Sequence, residues 1–186
     1  MEEITAIILA GGSSRRMGQD KGLMNLGGRP MIHHVIAMAE LFADDIIIIS
    51  SNKDYEQFGY AVHADEVEDA GPLGGIFTGL NQSKTDQNLI LCCDTPMISP
   101  ELLGKLIDQK TEAQIVIPEH DGFVHHLTGR YHKSILGKAK ECIEAKELKL
   151  SDFVAKVETE VFNANHLHPI NFVNVNSVEE FNALQK

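Results

Sequence analysis

The chain has 186 residues, of which 43% are hydrophobic and 23% are charged. This length fits a single domain over residues 1–186, and the composition is that of a globular protein rather than a disordered one. Acidic residues outnumber basic residues by 27 to 16, which gives a formal net charge of −11. Because such a chain has no general attraction for polyanions, we expect it to bind neither nucleic acid nor an anionic membrane surface.

Two features of the sequence predict a cytoplasmic location. The start, MEEITAIILAGG, carries acidic residues and an apolar stretch of only about seven residues, so it matches neither a signal peptide nor a membrane span. The 3 cysteines, with Cys92 beside Cys93 and Cys142 far away, form neither a zinc motif nor a disulfide framework. We therefore expect a reducing compartment, and we interpret the adjacent cysteines as strand packing.

Strand and helix patterns alternate along the first two thirds of the chain. The apolar run 4–10 predicts a strand that is buried on both faces, and Pro30 precedes a predicted helix over 31–41. Further strands are predicted at 46–49, 61–64, 88–93 and 114–117, with helices at 54–58, at 73–82 and behind the Ser99–Pro100 cap. This alternation is typical of right-handed βαβ units, so the expected fold is doubly wound α/β: a mostly parallel sheet with helices on both faces.

The last third of the chain has a less regular pattern. The predicted elements are a strand or hairpin at 122–131, a helix at 133–146, a strand at 157–162 and a capped terminal helix at 177–181. We see neither a linker nor a repeat that would separate a second domain from the first.

The stretch LAGGSSRRMGQDK, residues 9–21, follows the first predicted strand. In open α/β sheets ligands bind at that end of the strands. Its glycines can turn backbone N–H groups toward an anion, and Arg15, Arg16 and Lys21 add cations, which is an arrangement suited to a triphosphate. A glycine-rich turn without a ligand is the alternative. The stretch matches neither the P-loop of NTPases nor the G-x-G-x-x-G of dinucleotide-binding proteins.

Acidic and amide side chains follow the other predicted strands. Asp94 comes directly after strand 88–93, and an isolated carboxylate at this edge suits Mg²⁺, which binds through one or two carboxylates plus substrate phosphates. Asn174 or Asn176 could add a side-chain carbonyl to the metal or to an acceptor. Asn52 and Asp65 fall just past the second and third strands, where a turn residue and a helix cap are the alternative roles.

Three glycines, Gly74, Gly75 and Gly79, lie on or beside the predicted helix 73–82, where glycine costs about 1 kcal/mol relative to alanine. Such a cost indicates close approach of another group. That group could be a nucleotide base, a second substrate or an adjacent strand, and the sequence leaves all three open.

The histidines also leave alternatives open. His120, His125, His126 and His132 lie close together in sequence. The sequence leaves three roles open for them: metal binding, surface exposure and contacts to a second substrate. If His125 and His126 lie on a strand, their side chains point to opposite faces, and this argues against a joint metal site.

The run LAGGSSRRMGQDKGLMNLGGRPMIHHV resembles the signature loop of the MobA family of molybdenum cofactor guanylyltransferases, which are NTP nucleotidyltransferases. The resemblance continues through Asp65, DAGPLGG at 69–75, CDTPM at 93–97 and FVNVNSVEE at 172–180. These blocks keep the family's order over essentially the whole chain. His125-His126 is a departure, because the family more often has Pro-Leu near this point.

The resemblance implies roles for particular residues. The implied nucleotide-binding residues are Leu9, Ala10, Gly11, Gly12, Lys21, Asn52, Asp65 and Asp94. Lys21, Arg16 and Asp94 would carry catalysis, with Mg²⁺ at Asp94. Relatives that transfer pyrimidine nucleotides more often read Leu-Ala-Ala-Gly at the first block, so Gly11 favours guanine.

The implied reaction transfers GMP from GTP to the terminal phosphate of molybdopterin carrying molybdenum, with release of pyrophosphate. The substrates would be GTP and the molybdopterin cofactor, and other cofactor-biosynthesis proteins or molybdoenzymes are candidate partners. The alternatives are a cytidylyl- or uridylyltransferase acting on a pterin, sugar or alcohol phosphate, and a non-catalytic nucleotide- or cofactor-binding protein. Because both Lys21 and Asp94 are present, we favour an enzyme.

Overall fold

The computed structural model describes residues 2–11, 20–175 and 180. Within them the strands are β1 Ile4–Leu9, β2 Asn25–Leu26, β3 Arg29–Pro30, β4 Asp45–Ile49, β5 Ala61–His63, β6 Gln87–Cys92, β7 Ile115–His120, β8 Phe123–Val124, β9 Gly129–His132 and β10 Thr159–Asn163. The α-helices are α1 Met31–Ala39, α2 Gly71–Gln82, α3 Pro100–Asp108, α4 Leu136–Glu144 and α5 Leu150–Val154. Short 3₁₀ helices cover Lys21–Leu23, Lys53–Phe58, Lys133–Ile135 and Pro169–Phe172.

The main sheet is mixed and mostly parallel. Its strand order is β10-β7-β9-β6-β1-β4-β5, and β8 pairs with β7 outside this path. β1 is parallel to both of its neighbours, β4 and β6. β9 is antiparallel to β6 on one side and to β7 on the other. The doubly wound α/β prediction is therefore confirmed, with one antiparallel strand inserted between β6 and β7.

Helices cover both faces of this sheet because the buried strands alternate their side chains between two cores. In β1, Ala6 and Ile8 pack with residues of α1 and α3, whereas Ile7 and Leu9 pack with residues of α2, α4 and α5. All six residues of β1 are buried, as the unbroken apolar run predicted. β1 is thus the central strand around which both layers are built.

Local signals located most of the helix starts. Pro30 occupies the N-cap position of α1, and the Ser99 hydroxyl of α3 accepts a hydrogen bond from the Leu102 amide at 3.4 Å. The helix expected at 54–58 is a 3₁₀ helix, and the one expected at 133–146 begins as a 3₁₀ turn before α4. Helix α5 was not predicted from the sequence. The terminal helix predicted at 177–181 falls outside the described residues except for Glu180.

The glycines of α2 do not share one explanation. A β-carbon at Gly79 would lie 2.3 Å from Ile7 Cγ2, so that glycine allows α2 to pack directly on β1. A β-carbon at Gly74 would lie 2.8 Å from the Ala70 side chain. For Gly79, therefore, the adjacent strand is the group that approaches closely.

We expect Gly79→Ala to lower the free energy of unfolding by about 1–3 kcal/mol, because Ile7 is fully buried and the added methyl group overpacks the core. The matched control is Gly137→Ala in α4, where a β-carbon meets nothing within 4 Å. That variant should gain about 0.4–1 kcal/mol through reduced chain entropy. Urea unfolding measures both changes in stability, provided that the m-value is the same in each protein. A Gly79→Ala protein as stable as the parent would contradict this packing argument.

Candidate active site

A cleft of about 560 Å³ opens where β1, β4 and β6 end. Leu9, Ile49 and Cys92 form its base, and the segments that follow β1 and β6 bring Lys21 and Asp94 to its rim. The chain passes from β1 to β4 on one side and later returns to β6 on the other. Ligands of doubly wound proteins bind at such a reversal of strand order, beyond the carboxyl ends of the strands.

The backbone that leaves β1 is held firmly by the sheet. The Ala10 amide donates a hydrogen bond to the Ile49 carbonyl at 2.9 Å, and the Ala10 carbonyl accepts one from the Ser50 hydroxyl at 3.3 Å. The Leu9 carbonyl accepts from the Cys93 amide at 3.1 Å. Much of the hydrogen-bonding capacity of Leu9 and Ala10 is therefore used within the protein. Gly11, which follows, is exposed and lines the cleft.

Asp65 faces Gly11 across the cleft. A β-carbon at Gly11 would lie 3.6 Å from Asp65 Oδ2, and one at Gly75 would lie 3.4 Å from Asp65 Oδ1. The two glycines therefore leave space around this carboxylate. Partial burial raises its pKa above the usual range for an aspartate. Asp65 does not cap α2, because the N-cap of that helix is Ala70.

Lys21 and Asp94 both line the cleft, and their charges interact. Burial raises the pKa of the partly buried Asp94 carboxyl, and the Lys21 charge and a backbone amide oppose that shift. Burial also raises the pKa of Cys92 and Cys93, so both thiols are protonated near neutral pH. The cysteines pack into opposite cores, which confirms their interpretation as packing residues.

Asn52 occupies a different place from the one expected for a nucleotide contact. It is not among the cleft-lining residues of the described ranges. Its amide nitrogen donates to Asp20 Oδ2 at 3.0 Å, and its Oδ1 accepts from the Asp54 amide at 3.0 Å. Asn52 thus caps the 3₁₀ helix Lys53–Phe58, and its contact with a nucleotide stays a prediction.

Asp20 was missed by the sequence analysis, although it lies inside the glycine-rich stretch. It lines the cleft and is the N-cap of the 3₁₀ helix Lys21–Leu23. Its Oδ1 accepts from the Gly22 amide at 3.1 Å and from the Tyr55 hydroxyl. A capping type of residue directly before Lys21 was the available signal.

A second cleft, of about 320 Å³, adjoins the first. Pro72, Cys92, Asp94 and Leu127 line both clefts. His125 and His126 line the second cleft together, because they lie in the loop between β8 and β9 rather than on a strand. Side-chain alternation along a strand therefore does not place these two histidines on opposite faces.

Phe172 packs against His120 and His125, of which His125 lines the second cleft. Its ring centroid lies 4.5 Å from that of His120 and 4.5 Å from that of His125. Burial lowers the pKa of His125, and His120 and His126 lower it further. Burial also lowers the pKa of His126. These imidazoles are therefore neutral hydrogen-bonding groups near pH 7.

The chain near its C-terminus reaches the junction of the two clefts. The Val175 amide donates to the Asp94 carbonyl at 2.8 Å, and the exposed Asn174 lines the second cleft. Arg16, Gly12 and Asn176 lie outside the described residues. The predicted roles of these three stay predictions.

The donors in the clefts limit which metal they could hold. No group of three or more His, Cys, Asp or Glu side chains assembles in the parts of the chain that the structure describes. A closed structural metal site is thus not formed by those residues. Asp94 offers a single oxygen-donor carboxylate, which fits a divalent ion that takes its remaining ligands from water and substrate. Among the described helices, none has the length and apolar character needed to cross a membrane.

Comparisons with known proteins identify the family. Residues 6–161 match the family model of the MobA-like NTP transferase domain. The chain is 42% identical over 185 residues to a protein of Flavobacterium johnsoniae named probable molybdenum cofactor guanylyltransferase, covering 99% of this chain and 97% of that one. It is 32% identical to the molybdenum cofactor guanylyltransferase of Shewanella frigidimarina, covering 96% of this chain and 93% of that one.

A solved structure shares the fold. The molybdopterin-guanine dinucleotide biosynthesis protein A of Archaeoglobus fulgidus superposes with a TM-score of 0.82 at 21% identity, covering 97% of this chain and 96% of that one. The resemblance read from the ordered motifs is confirmed by the family match and by the full-length relatives. The chain therefore belongs to the family of MobA-like NTP transferases.

Proposed function

We propose that this chain is a guanylyltransferase that transfers GMP from GTP to the terminal phosphate of molybdopterin carrying molybdenum. The observation that carries the proposal is the position of Asp94, which lines both clefts. A nucleotide in the first cleft and an acceptor in the second would meet at this residue. Relatives that span nearly the whole chain are named for this transfer, which supports GTP and molybdopterin as the two substrates.

Asp65 supports guanine as the base. Guanine presents two adjacent donors, N1–H and its 2-amino group, and an ionised carboxylate can accept both. Adenine and cytosine present one donor beside an acceptor on the same edge. The space left by Gly11 and Gly75 in front of Asp65 would admit this edge. With the base there, the triphosphate would extend toward Lys21 and Asp94.

Asp94 is the residue that would hold Mg²⁺. Its partly buried carboxylate lies on the same cleft as Lys21, and Mg²⁺ is held in proteins through one or two carboxylates together with waters and substrate phosphates. When bound, the ion would withdraw negative charge from the phosphate oxygens. Asn174, at the junction of the clefts, and Asn176 are candidates to support the ion or the acceptor.

The transfer replaces one phosphoanhydride linkage by another. An oxygen of the acceptor's terminal phosphate forms a bond to the α-phosphorus of GTP. The bond from that phosphorus to the oxygen shared with the β-phosphate breaks, and its electron pair leaves with pyrophosphate. Because the attacking group is already a phosphate oxygen, no protein nucleophile is needed. The protonated state of the Cys92 and Cys93 thiols agrees with that requirement.

Alignment and charge neutralisation are then the tasks left to the protein. Lys21 would donate to the phosphate oxygens on which charge accumulates as pyrophosphate leaves, and Arg16 would support the same oxygens. The two adjoining clefts would hold the attacking oxygen in line with the leaving group. Three buried free thiols, Cys92, Cys93 and Cys142, are consistent with action in the reducing cytoplasm.

The decisive experiment combines thermal stabilisation with pyrophosphate release. With Mg²⁺ present, GTP at about a hundred times its dissociation constant should add about 2.7 kcal/mol to the free energy of unfolding. ATP, CTP and UTP at the same concentration should add less. Pyrophosphate release should require the molybdenum-bearing acceptor. Stabilisation by CTP or UTP instead would identify a pyrimidine nucleotidyltransferase, and binding without release would identify a binding protein.

Lys21→Ala and Asp94→Asn should each lower pyrophosphate release by at least about a hundredfold, since each removes charge stabilisation from the transferred group. Ligand-free Asp94→Asn should melt no lower than the parent protein, because burial disfavours the Asp94 charge that the amide removes. Lys110→Ala, at an exposed position outside both clefts, is the control. Normal turnover in either cleft variant would refute the assignment.

Asp65 should make guanosine binding sensitive to acid. Its raised pKa means that protonation begins at a higher pH than for an ordinary aspartate, so guanosine affinity should fall as the pH is lowered into that range. Asp65→Asn should weaken guanosine binding by about tenfold and remove this pH dependence. Calorimetry with guanosine avoids the phosphates and therefore Asp94. Inosine, which lacks the 2-amino group, should lose less affinity than guanosine on Asp65→Asn, and equal losses would contradict the pairing.

The second cleft should serve the acceptor. His125→Ala is expected to raise the KM for the acceptor by about three- to tenfold through loss of a neutral hydrogen-bonding group, and to leave the KM for GTP unchanged. His166→Ala, at an exposed position outside both clefts, should change neither constant. Initial-rate kinetics with each substrate varied in turn distinguishes these outcomes. An effect of His125→Ala on GTP alone would assign the cleft to the nucleotide.

A further inference from the structure

We infer that Asp20, Asn52 and Tyr55 form a clamp that positions Lys21 for catalysis. The inference rests on the proposed role of Lys21 and adds residues that do not themselves react. We call these three residues the Asp20 clamp. It joins the segment after β4, which carries Asn52 and Tyr55, to the end of the glycine-rich stretch, where Lys21 begins a 3₁₀ helix.

Asp20 is held from three directions. Its Oδ1 accepts from the Tyr55 hydroxyl and from the Gly22 amide at 3.1 Å, and its Oδ2 accepts from the Asn52 amide nitrogen at 3.0 Å. A carboxylate has about four acceptor positions, and donors among the described residues use three of them. The Asp20 carboxylate is therefore used mainly inside the protein, even though it lines the cleft.

Tyr55 gives the clamp a fixed donor. Its side chain is fully buried, and burial, with smaller contributions from Cys93 and Asp20, raises the pKa of its hydroxyl far above the usual value. The hydroxyl is consequently protonated near neutral pH and donates to Asp20. Because Asn52 caps the 3₁₀ helix that carries Tyr55, the two donors belong to one short structural unit.

Gly22 completes the fit on the other side. A β-carbon at this position would lie 2.3 Å from the Tyr55 hydroxyl oxygen and 3.2 Å from the Cys93 β-carbon. The turn can therefore approach Tyr55 only because residue 22 lacks a side chain. Lys21 lies between the two clamped residues, Asp20 and Gly22, so its backbone is fixed on both sides.

A fixed backbone matters for a lysine because its ammonium group ends a flexible four-carbon chain. If the backbone also moved, the ammonium group would meet the phosphates in the reactive geometry less often, and a displacement of about 1 Å can cost a hundredfold in rate. The clamp thus acts on the rate of the chemical step more than on ground-state binding. Asp20 and Tyr55 are positioning residues in this scheme, with Asn52 as their second support.

Tyr55→Phe tests the clamp because it keeps the ring and removes only the hydroxyl. We expect kcat to fall by about ten- to a hundredfold while the KM for GTP changes by less than about threefold. The matched control is Tyr60→Phe, which also removes a hydroxyl that donates to a carboxylate, here Glu40 Oε1 at 2.5 Å, outside both clefts. If the kcat of Tyr55→Phe equals that of Tyr60→Phe, the inference is overturned.

A double-mutant cycle separates positioning from general destabilisation. In the Lys21→Ala background, Tyr55→Phe should produce no further fall in the residual kcat with GTP and Mg²⁺, because the group that the clamp positions is already gone. Additive losses would show that Tyr55 acts independently of Lys21 and would overturn the inference. Tyr55→Phe could instead raise the Mg²⁺ concentration needed for half-maximal rate without lowering kcat at saturating Mg²⁺. That result would identify Asp20 as a metal ligand and would equally overturn the inference.

Hydrogen exchange tests the clamp without any substrate. Tyr55→Phe should increase amide exchange in the peptide that covers residues 20–24, and Tyr60→Phe should leave it unchanged. Unchanged exchange in Tyr55→Phe would overturn the clamp whatever the enzyme transfers. Conversely, faster exchange combined with a parent protein that does not turn over GTP would refute the proposed function and leave the clamp standing.

Discussion

The position of β1 is the constraint on which the rest of the structure depends. β1 is buried along its whole length and bonded in parallel to β4 and β6, so its end has little freedom. The hydrogen bonds of Leu9 and Ala10 continue this pairing one step beyond the strand. A rigid floor results, and the charged groups that the structure describes in the first cleft lie on the segments that follow β1, β5 and β6. Short, rigid supports are what a reaction limited by alignment requires.

A triphosphate poses an electrostatic problem for an acidic protein. The net charge of −11 would repel the ligand at long range, and Asp20, Asp65, Asp69 and Asp94 line the cleft itself. In the proposed function, three of these carboxylates have separate solutions. The hydrogen bonds of Asp20 are directed into the protein, Asp65 would face the base rather than the phosphates, and Asp94 would be neutralised by a divalent ion. Lys21 would then meet the phosphates without direct competition from these three carboxylates.

Sequence reasoning placed those candidate residues whose positions follow from the ends of strands. Lys21, Asp65 and Asp94 could be placed because the carboxyl ends of parallel strands meet at one edge, and buried strands are recognisable as apolar runs. Asn52 satisfied the same rule, yet its side chain serves Asp20, a contact between residues 32 positions apart that no local pattern encodes. The place of β9 depends equally on pairing between distant segments. His125 and His126 were judged on a strand geometry that the chain does not adopt there.

The inserted strand β9 has a consequence for how the enzyme can diversify. Because β9 stands between β6 and β7, β7 and β10 join the sheet only through it, and the histidine-bearing loop is attached to this outer part. Residues that line the first cleft come almost entirely from positions up to Asp94, whereas the second cleft adds residues from Val124 onward to Pro72, Cys92, Asp94 and Thr95. If the second cleft binds the acceptor as proposed, acceptor preference can change by exchange of residues in this outer module, while the first cleft keeps its geometry. Such a transferase would separate donor choice from acceptor choice along its own chain.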